Sequence, residues 1–247
     1  IKSYLSQYMK IFWRNIKMSD FTFAHREEGF DNHIDHSIRG YSNLLEDIIS
    51  MSRYFVEDES NVVDIGCSTG KVTEMMIEQN DFARQANYIG VEIASGFFSD
   101  LDERKSKLNL TYPDTPVTII KDDIRNHTFE NCSLVTSIFT LQFMSKKDRS
   151  EVIESIYNSL NVGGAFIFSE KTVSESASVQ EMITFNYYDF KRKSFDADDI
   201  LTKEKTLRNM MKPNTVREIE DMIYSAGFDT LQQFWRNHNF VGFIAIK

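Results

Sequence analysis

The sequence is poor in the residues that restrain small or secreted folds. It holds two cysteines, Cys67 and Cys132, with no CxxC pair, which excludes a disulfide scaffold, a zinc ribbon and a redox dithiol and fits a reducing compartment. Three prolines and ten glycines among 247 residues leave no Pro/Gly-rich linker or low-complexity tract, and no internal repeat is visible. The longest charge-free stretches, Asn131 to Ser145 and Ser155 to Ser169, contain polar residues and fall short of the roughly 18 apolar residues of a membrane helix. Basic residues are outnumbered, 28 Lys plus Arg against 37 Asp plus Glu, for a net charge of −9. That balance argues against non-specific nucleic-acid binding. No secretory signal is visible, so a cytoplasmic location is expected. The chain opens on Ile1 rather than Met, compatible with trimming, with a piece cut from a longer polypeptide, or with a start at Met18.

What is present is an ordinary globular composition, 41% hydrophobic and 26% charged, long enough for one or two domains at about 150 residues each. Ile1, Leu5, Tyr8, Phe12 and Ile16 lie at helical spacing and predict an amphipathic N-terminal helix that packs on the domain or on a second subunit. Asp20 to Arg39 holds His25, His33 and His36 without metal-ligand spacing, so no metal is expected and the stretch reads as a cap. A helix from about Tyr41 to Tyr54 follows. Short apolar runs then alternate with amphipathic segments, the pattern of a parallel sheet with crossover helices. The expected strands are Asn61 to Ile65, Tyr88 to Ile93, Val117 to Lys121, Leu134 to Thr140 and Ala165 to Ser169, with Lys71 to Gln79 as the first crossover helix. Leu231 to Trp235 and Phe240 to Ile246, joined by a short polar link, form an antiparallel hairpin at the sheet edge. The expected fold is α/β, a seven-stranded, mostly parallel, Rossmann-like sheet with a C-terminal antiparallel hairpin strand and a helical cap. Its expected organisation is an N-terminal helical cap segment over residues 1–55 and a main domain over 56–247, interrupted by a helical insert at about 172–214 that covers the substrate.

Val62-Val63-Asp64-Ile65 runs into Gly66-Cys67-Ser68-Thr69-Gly70 and then a helix, a strand to glycine-turn to helix junction whose amides face a ligand. Three residues separate the glycines and Val72 follows Lys71, so the turn is no P-loop, and the third glycine of a dinucleotide fingerprint is missing. Glu92, ending the second strand, suits the two hydroxyls of a ribose, and Asp123 before Ile124, ending the third, suits an adenine amino group. A glycine turn with acids closing the next two strands fits a nucleoside without a pyrophosphate. Cys67 stands at a helix N-terminus, where a thiol can be activated, but it reads as packing beneath the nucleoside.

These residues resemble the class I S-adenosylmethionine-dependent methyltransferases, and within them the carboxy-S-adenosylmethionine synthase group. The likeness runs from Phe30 to the C-terminus through Gly40 to Asn43, Asp64 to Ser68, Asp123 to Arg125, Phe139 to Phe143, Gly163 to Ala165, Ser169 to Lys171 and Asp189 to Arg192. The resemblance implies a cofactor pocket lined by Tyr41, Gly66, Cys67, Ser68, Glu92, Ile93, Asp123 and Ile124, to which Asp64 and Gly70 of the glycine turn and Ile138 are added as candidate cofactor-binding residues, and a homodimer. Members of the group are similar in taking S-adenosylmethionine and prephenate and moving carbon dioxide onto the sulfonium methyl, to make a cofactor of tRNA wobble-uridine modification.

Two positions depart from the group. Where it carries an arginine that pairs with the new carboxylate, this chain has Glu204, and where it carries an asparagine before Phe139, this chain has Ile138. Like charges about 4 Å apart repel by roughly 4 kcal/mol at an effective dielectric near 20, unless Lys203, Lys205 or Arg208 restores the cation. The leading expectation is therefore an S-adenosylmethionine-dependent methyltransferase of this group acting on a small-molecule acceptor, with catalysis by positioning. The alternatives are a carboxy-S-adenosylmethionine synthase, its product carboxy-S-adenosylmethionine, and a catalytically silent cofactor-binding subunit. No catalytic base is identified. Glu170, Tyr187 and Tyr188 lie where the sheet's C-terminal edge meets the cap, and packing and hydrogen-bonding of the insert account for them better than catalysis does.

Overall fold

The strand Asn61–Ile65 (β1) buries Val62 on one face and Val63 and Ile65 on the other. A strand apolar on both faces needs cover on both, and in the computed structural model, which describes residues 29–247, helices supply it. The N-terminal stripe of residues 1–17 and His25 lie outside the described residues. Two helices, α1 (Phe30–Ser37) and α2 (Tyr41–Ser52), precede β1. The crossover series then runs α3 (Lys71–Gln79), β2 (Asn87–Val91), α4 (Phe98–Thr111), β3 (Val117–Ile120), β4 (Cys132–Ile138), α5 (Lys146–Ser159) and β5 (Leu160–Lys171). Three helices follow, α6 (Ala177–Lys191), α7 (Ala197–Met210) and α8 (Val216–Ala226), before the hairpin of β6 (Thr230–Asn237) and β7 (Phe240–Ile246).

The seven strands stand in the order β3, β2, β1, β4, β5, β7, β6, and only β7 opposes its neighbours. On one face Leu44, Leu45 and Ile48 of α2 and Met76 and Ile77 of α3 cover Val62, Leu134 and Ile167. On the other, Val152, Ile153 and Ile156 of α5 and Ile219 and Ile223 of α8 cover Val63, Val135, Phe166 and Phe168. The rings of Phe166 and Phe168, two residues apart on one side of β5, stack at 4.5 Å, and Phe168 stacks on Phe243 of β7 at 5.1 Å.

The strand Asn61–Ile65, the helix Lys71–Gln79 and the strand Phe240–Ile246 have their expected bounds. β5 begins earlier than Ala165 because Gly164 continues it rather than stopping it. A Cβ there would lie 3.1 Å from the carbonyl of Ser133 and 3.2 Å from that of Cys132, so the glycine serves close approach to β4. The region between Thr172 and Asn214 contains α6 and α7.

Candidate active site

The strand order reverses between β1 and β4, and the carboxyl ends of β1 to β4 open there into a crevice, the usual ligand position in a doubly wound sheet. A cavity of about 320 Å³ occupies it. Tyr41, Asp64, Gly66, Cys67, Ser68, Glu92, Ile93, Asp123, Ile124 and Ile138 all line this cavity. Gly70 lies behind the wall, where its φ of +77° lets the loop turn into α3.

The glycine loop is fixed from two sides. Val91 accepts from the amides of Gly66 and Cys67 at 2.8 and 3.2 Å, and Cys67 accepts from the amide of Gly70 at 2.7 Å. Gly66 has a φ of +73°, and an added Cβ would meet Oγ1 of Thr140 at 2.1 Å. The Cys67 side chain fills the space over Gly90 of β2, where any Cβ would lie 2.8 Å from its sulfur. Burial, and then the charges of Asp64 and Glu92, push its thiol well above the ordinary range, so it packs as a neutral group.

The acids differ in role. Asp64 is buried and accepts from the hydroxyls of Thr73 and Thr136, each at 2.9 Å, so it ties α3 and β4 beneath the loop. Burial pushes its carboxyl up to about 6 against those two bonds. Glu92 accepts from the amides of Ser68 at 2.8 Å and Ala94 at 2.7 Å. A carboxylate has about four acceptor sites, so two bonds to amides leave capacity for two hydroxyls. Burial raises its pKa, and the amide bonds oppose the rise. Asp123 is held by the side chain and amide of Arg125, which lower its pKa.

The other half of the wall belongs to the cap. Tyr187 and Lys191 of α6, Lys203 and Leu207 of α7, Met211, and His33 of α1 line it, with Lys171 at the end of β5. Glu204 is absent from the lining and buried, with one carboxylate oxygen 3.4 Å from the Lys171 ammonium. Glu204, expected at the position of the group's arginine, is thus matched by a lysine and lies outside the cavity lining. Glu170 is also outside the lining, buried 3.7 Å from the Arg149 guanidinium, and Tyr188 is half-buried outside it. Of the three side chains considered as bases, only Tyr187 reaches the cavity. Burial raises its hydroxyl pKa first, and Glu204 adds to the rise.

Sequence reasoning passed over Lys171, Lys191 and His33 as lining residues and weighed Lys203 only as a substitute cation beside Glu204. The first two stand within stretches that carry the group resemblance, and Lys203 immediately precedes Glu204, so proximity to those motifs was the available signal. Among the described residues, no three His, Cys, Asp or Glu side chains are grouped to hold a metal ion, and no helix is long and apolar enough to cross a membrane.

A doubly wound sheet with a glycine turn, an acid closing β2 and an acid after β3 around one crevice defines the Rossmann-like, S-adenosylmethionine-dependent methyltransferase class. The methyltransferase domain profile matches residues 62–164. The chain is 33% identical over 219 residues to a carboxy-S-adenosyl-L-methionine synthase of Staphylococcus epidermidis, covering 88% of this chain and 92% of that one. It is 35% identical over 235 residues to the synthase of Vibrio parahaemolyticus, covering 94% of each. The chain belongs to the carboxy-S-adenosyl-L-methionine synthase family, and with it to the S-adenosylmethionine-dependent enzymes. Among solved structures it is similar in fold to phosphoethanolamine N-methyltransferase 2 of Haemonchus contortus with S-adenosyl-L-methionine, at a TM-score of 0.57 and 16% identity, over 85% of this chain and 53% of that one. Human N-acetylserotonin methyltransferase is similar at a TM-score of 0.55 and 14% identity, over 84% of this chain and 52% of that one. This chain therefore spans about half the length of each of those two.

Proposed function

We propose that this chain is a carboxy-S-adenosyl-L-methionine synthase, acting on S-adenosylmethionine and an anionic carboxyl donor of the prephenate type. The carrying observation is the cationic cap wall: Lys171, Lys191 and Lys203 line the cavity, while Glu204 faces Lys171 from outside it. An acid directed into the cavity would repel an anionic substrate, whereas an acid already matched by a lysine opposes it far less.

The residues fit the cofactor. A volume of about 320 Å³ falls within the roughly 300–1,000 Å³ of small-molecule sites. Glu92 would hold the ribose, Asp123 with Ile124 the adenine, and the loop Gly66 to Ser68 with Tyr41 the amino-acid portion. When bound, S-adenosylmethionine supplies the one-carbon centre. The chain's own contribution is binding, orientation and exclusion of water by Phe139, Tyr187 and Phe240, whose rings wall the cavity beside the lysines. The resemblance and the two buried, free cysteines support a homodimer in a reducing compartment such as the cytoplasm. Sedimentation of the purified chain at twice the monomer mass is the expected outcome.

Methyl transfer to a small acceptor is a second reading, favoured by Ile138, which brings an apolar side chain to the cavity where the group carries an asparagine. Mass spectrometry of the ligand retained through purification separates the two. A cofactor heavier than S-adenosylmethionine by one carbon dioxide is expected. Unmodified S-adenosylmethionine or S-adenosylhomocysteine as the sole ligand, with no carboxylated product on incubation with prephenate, would overturn the synthase reading.

A further inference from the structure

We propose that Gln142 holds the second substrate: its side-chain amide, fixed from behind the cavity wall, donates a neutral hydrogen bond to an oxygen of the anionic carboxyl donor. The inference rests on the synthase reading above and adds a residue that selects the second substrate rather than the cofactor.

Gln142 lies in the short 3-10 turn Leu141–Phe143 after β4 and lines the cavity, yet it is only 4% exposed. Three elements hold it. The Lys171 amide, at the end of β5, donates to its Oε1 at 2.6 Å, and the Lys212 amide, on the return from the cap, donates to its carbonyl at 2.7 Å. Arg149 of α5 closes the ring from outside the cavity. Its Nε donates to the carbonyl of Leu141 at 3.0 Å and its Nη2 to that of Lys212 at 2.7 Å, from a side chain as buried as any in the core.

A main-chain N–H can only donate, so the bond from Lys171 fixes which end of the Gln142 amide is oxygen and turns the Nε2 amino group the other way. Among the described residues, the one hydrogen bond of this side chain is the one its oxygen accepts. The amino group is not sealed in protein, as the oxygens of Glu170 are, so its N–H groups open to the cavity that the residue lines. The sheet order sets this donor apart from the nucleoside acids. β4 and β5 stand on one side of β1, while β2 and β3, which lead to Glu92 and Asp123, stand on the other. Gln142 thus belongs with Lys171 and Met211 to the half of the wall left for a second substrate once the acids hold the nucleoside. An N–H that loses water and gains no partner costs free energy, so a ligand bringing an oxygen there is favoured over one bringing an apolar group. The lysines attract any anion. A fixed amide adds direction without charge, because it accepts only an oxygen placed along its N–H bonds.

Steady-state kinetics of the full chain with S-adenosylmethionine and prephenate, the carboxylated product being counted by mass spectrometry, test the assignment. Gln142→Met keeps the length of the side chain and removes the amide. Its KM for prephenate should rise about 10- to 100-fold, the loss expected when a hydrogen bond to a charged oxygen is not replaced, with kcat within about threefold. Affinity for S-adenosylhomocysteine, unchanged within about twofold by calorimetry, reports a folded variant and separates this role from general damage to the wall. Gln142→Glu keeps an acceptor for Lys171 and has no donor while ionised, but regains an O–H on protonation. Its kcat/KM relative to the wild type should therefore climb as the pH falls from about 8 to about 6, a gain that Gln142→Met should not show. A KM for prephenate that Gln142→Met leaves unchanged overturns the assignment. If Gln142→Met does not retain S-adenosylhomocysteine, Gln142→Glu decides, and a kcat/KM equal to that of the wild type at about pH 8 overturns it. A wild-type chain that forms no carboxylated product from prephenate overturns the synthase reading itself, which is a different result from either.

Discussion

At Gly66 an added Cβ would lie 2.1 Å from Oγ1 and 2.7 Å from Cβ of Thr140, at a φ of +73° that side chains with L chirality rarely adopt. The left-handed conformation alone costs roughly 1–2 kcal/mol in a non-glycine residue, and the contact with Thr140 adds to it. Gly66→Ala is therefore expected to lower the melting temperature by at least about 4 °C, at roughly 2–4 °C per kcal/mol in a chain of this size, and to abolish S-adenosylhomocysteine binding by calorimetry. Adding Thr140→Gly should recover the part due to the contact and leave the part due to φ. The glycine was legible in the sequence because a strand that runs into a Gly-rich turn has few interpretations. Orientation was less legible. Glu204 was expected where the group carries its arginine, but whether it faces the cavity depends on Lys171, 33 residues away on β5, and no local pattern encodes that pairing.

The elements show the same division. Helix α3 and strand β7 were readable to the residue because their apolar spacing changes abruptly at Gly70 and at the Asn237 to Asn239 link. β5 was not, because Gly163 and Gly164 suggest a turn, while close approach to β4 keeps them within the ladder. Helix α8 opens on a reciprocal cap: Thr215 Oγ1 accepts from the amide of Glu218 at 3.2 Å, and Glu218 accepts from the amide of Thr215 at 2.9 Å. Asn214, just before it, joins Glu218 to the Arg149 side chain, so the cap also anchors the return from the helical insert. Loss of an N-cap hydroxyl costs about 1 kcal/mol. Thr215→Ala should lower the melting temperature by about 2–4 °C, while affinity for S-adenosylhomocysteine stays unchanged, since no residue of α8 lines the cavity. A fall in affinity comparable to a cofactor-loop variant would show that the cap return controls the site.

For the whole molecule, two fully buried carboxyls set how stability depends on pH. Burial raises Asp64 from its usual 3.8 to about 6, and raises Glu170 from 4.5 to about 7 against the opposing pull of Arg149. A carboxyl whose folded pKa lies above its unfolded one contributes stability that is complete below about pH 4 and is lost as the pH climbs through the folded value. Asp123, Glu74 and Glu218 are shifted downward, so their contribution is lost only as the pH falls below the ordinary carboxylate range. Between about pH 5 and 7.5 Glu92, also raised by burial, adds to the slope of this pair, while His238, lowered by burial, opposes it; with three carboxyls against one half-buried imidazole, the melting temperature should fall across that window. Glu170→Gln keeps the shape of the protonated acid and cannot ionise, so it removes one of these contributions. At about 1.4 kcal/mol per tenfold change in proton affinity, the effect is on the order of a few kcal/mol at the upper end of the window. The variant should melt with the wild type near pH 5 and several degrees above it near pH 7.5. A variant that instead melts lower at pH 7.5 would mean that the ionised Glu170 and Arg149, 3.7 Å apart, gain more from each other than their burial costs.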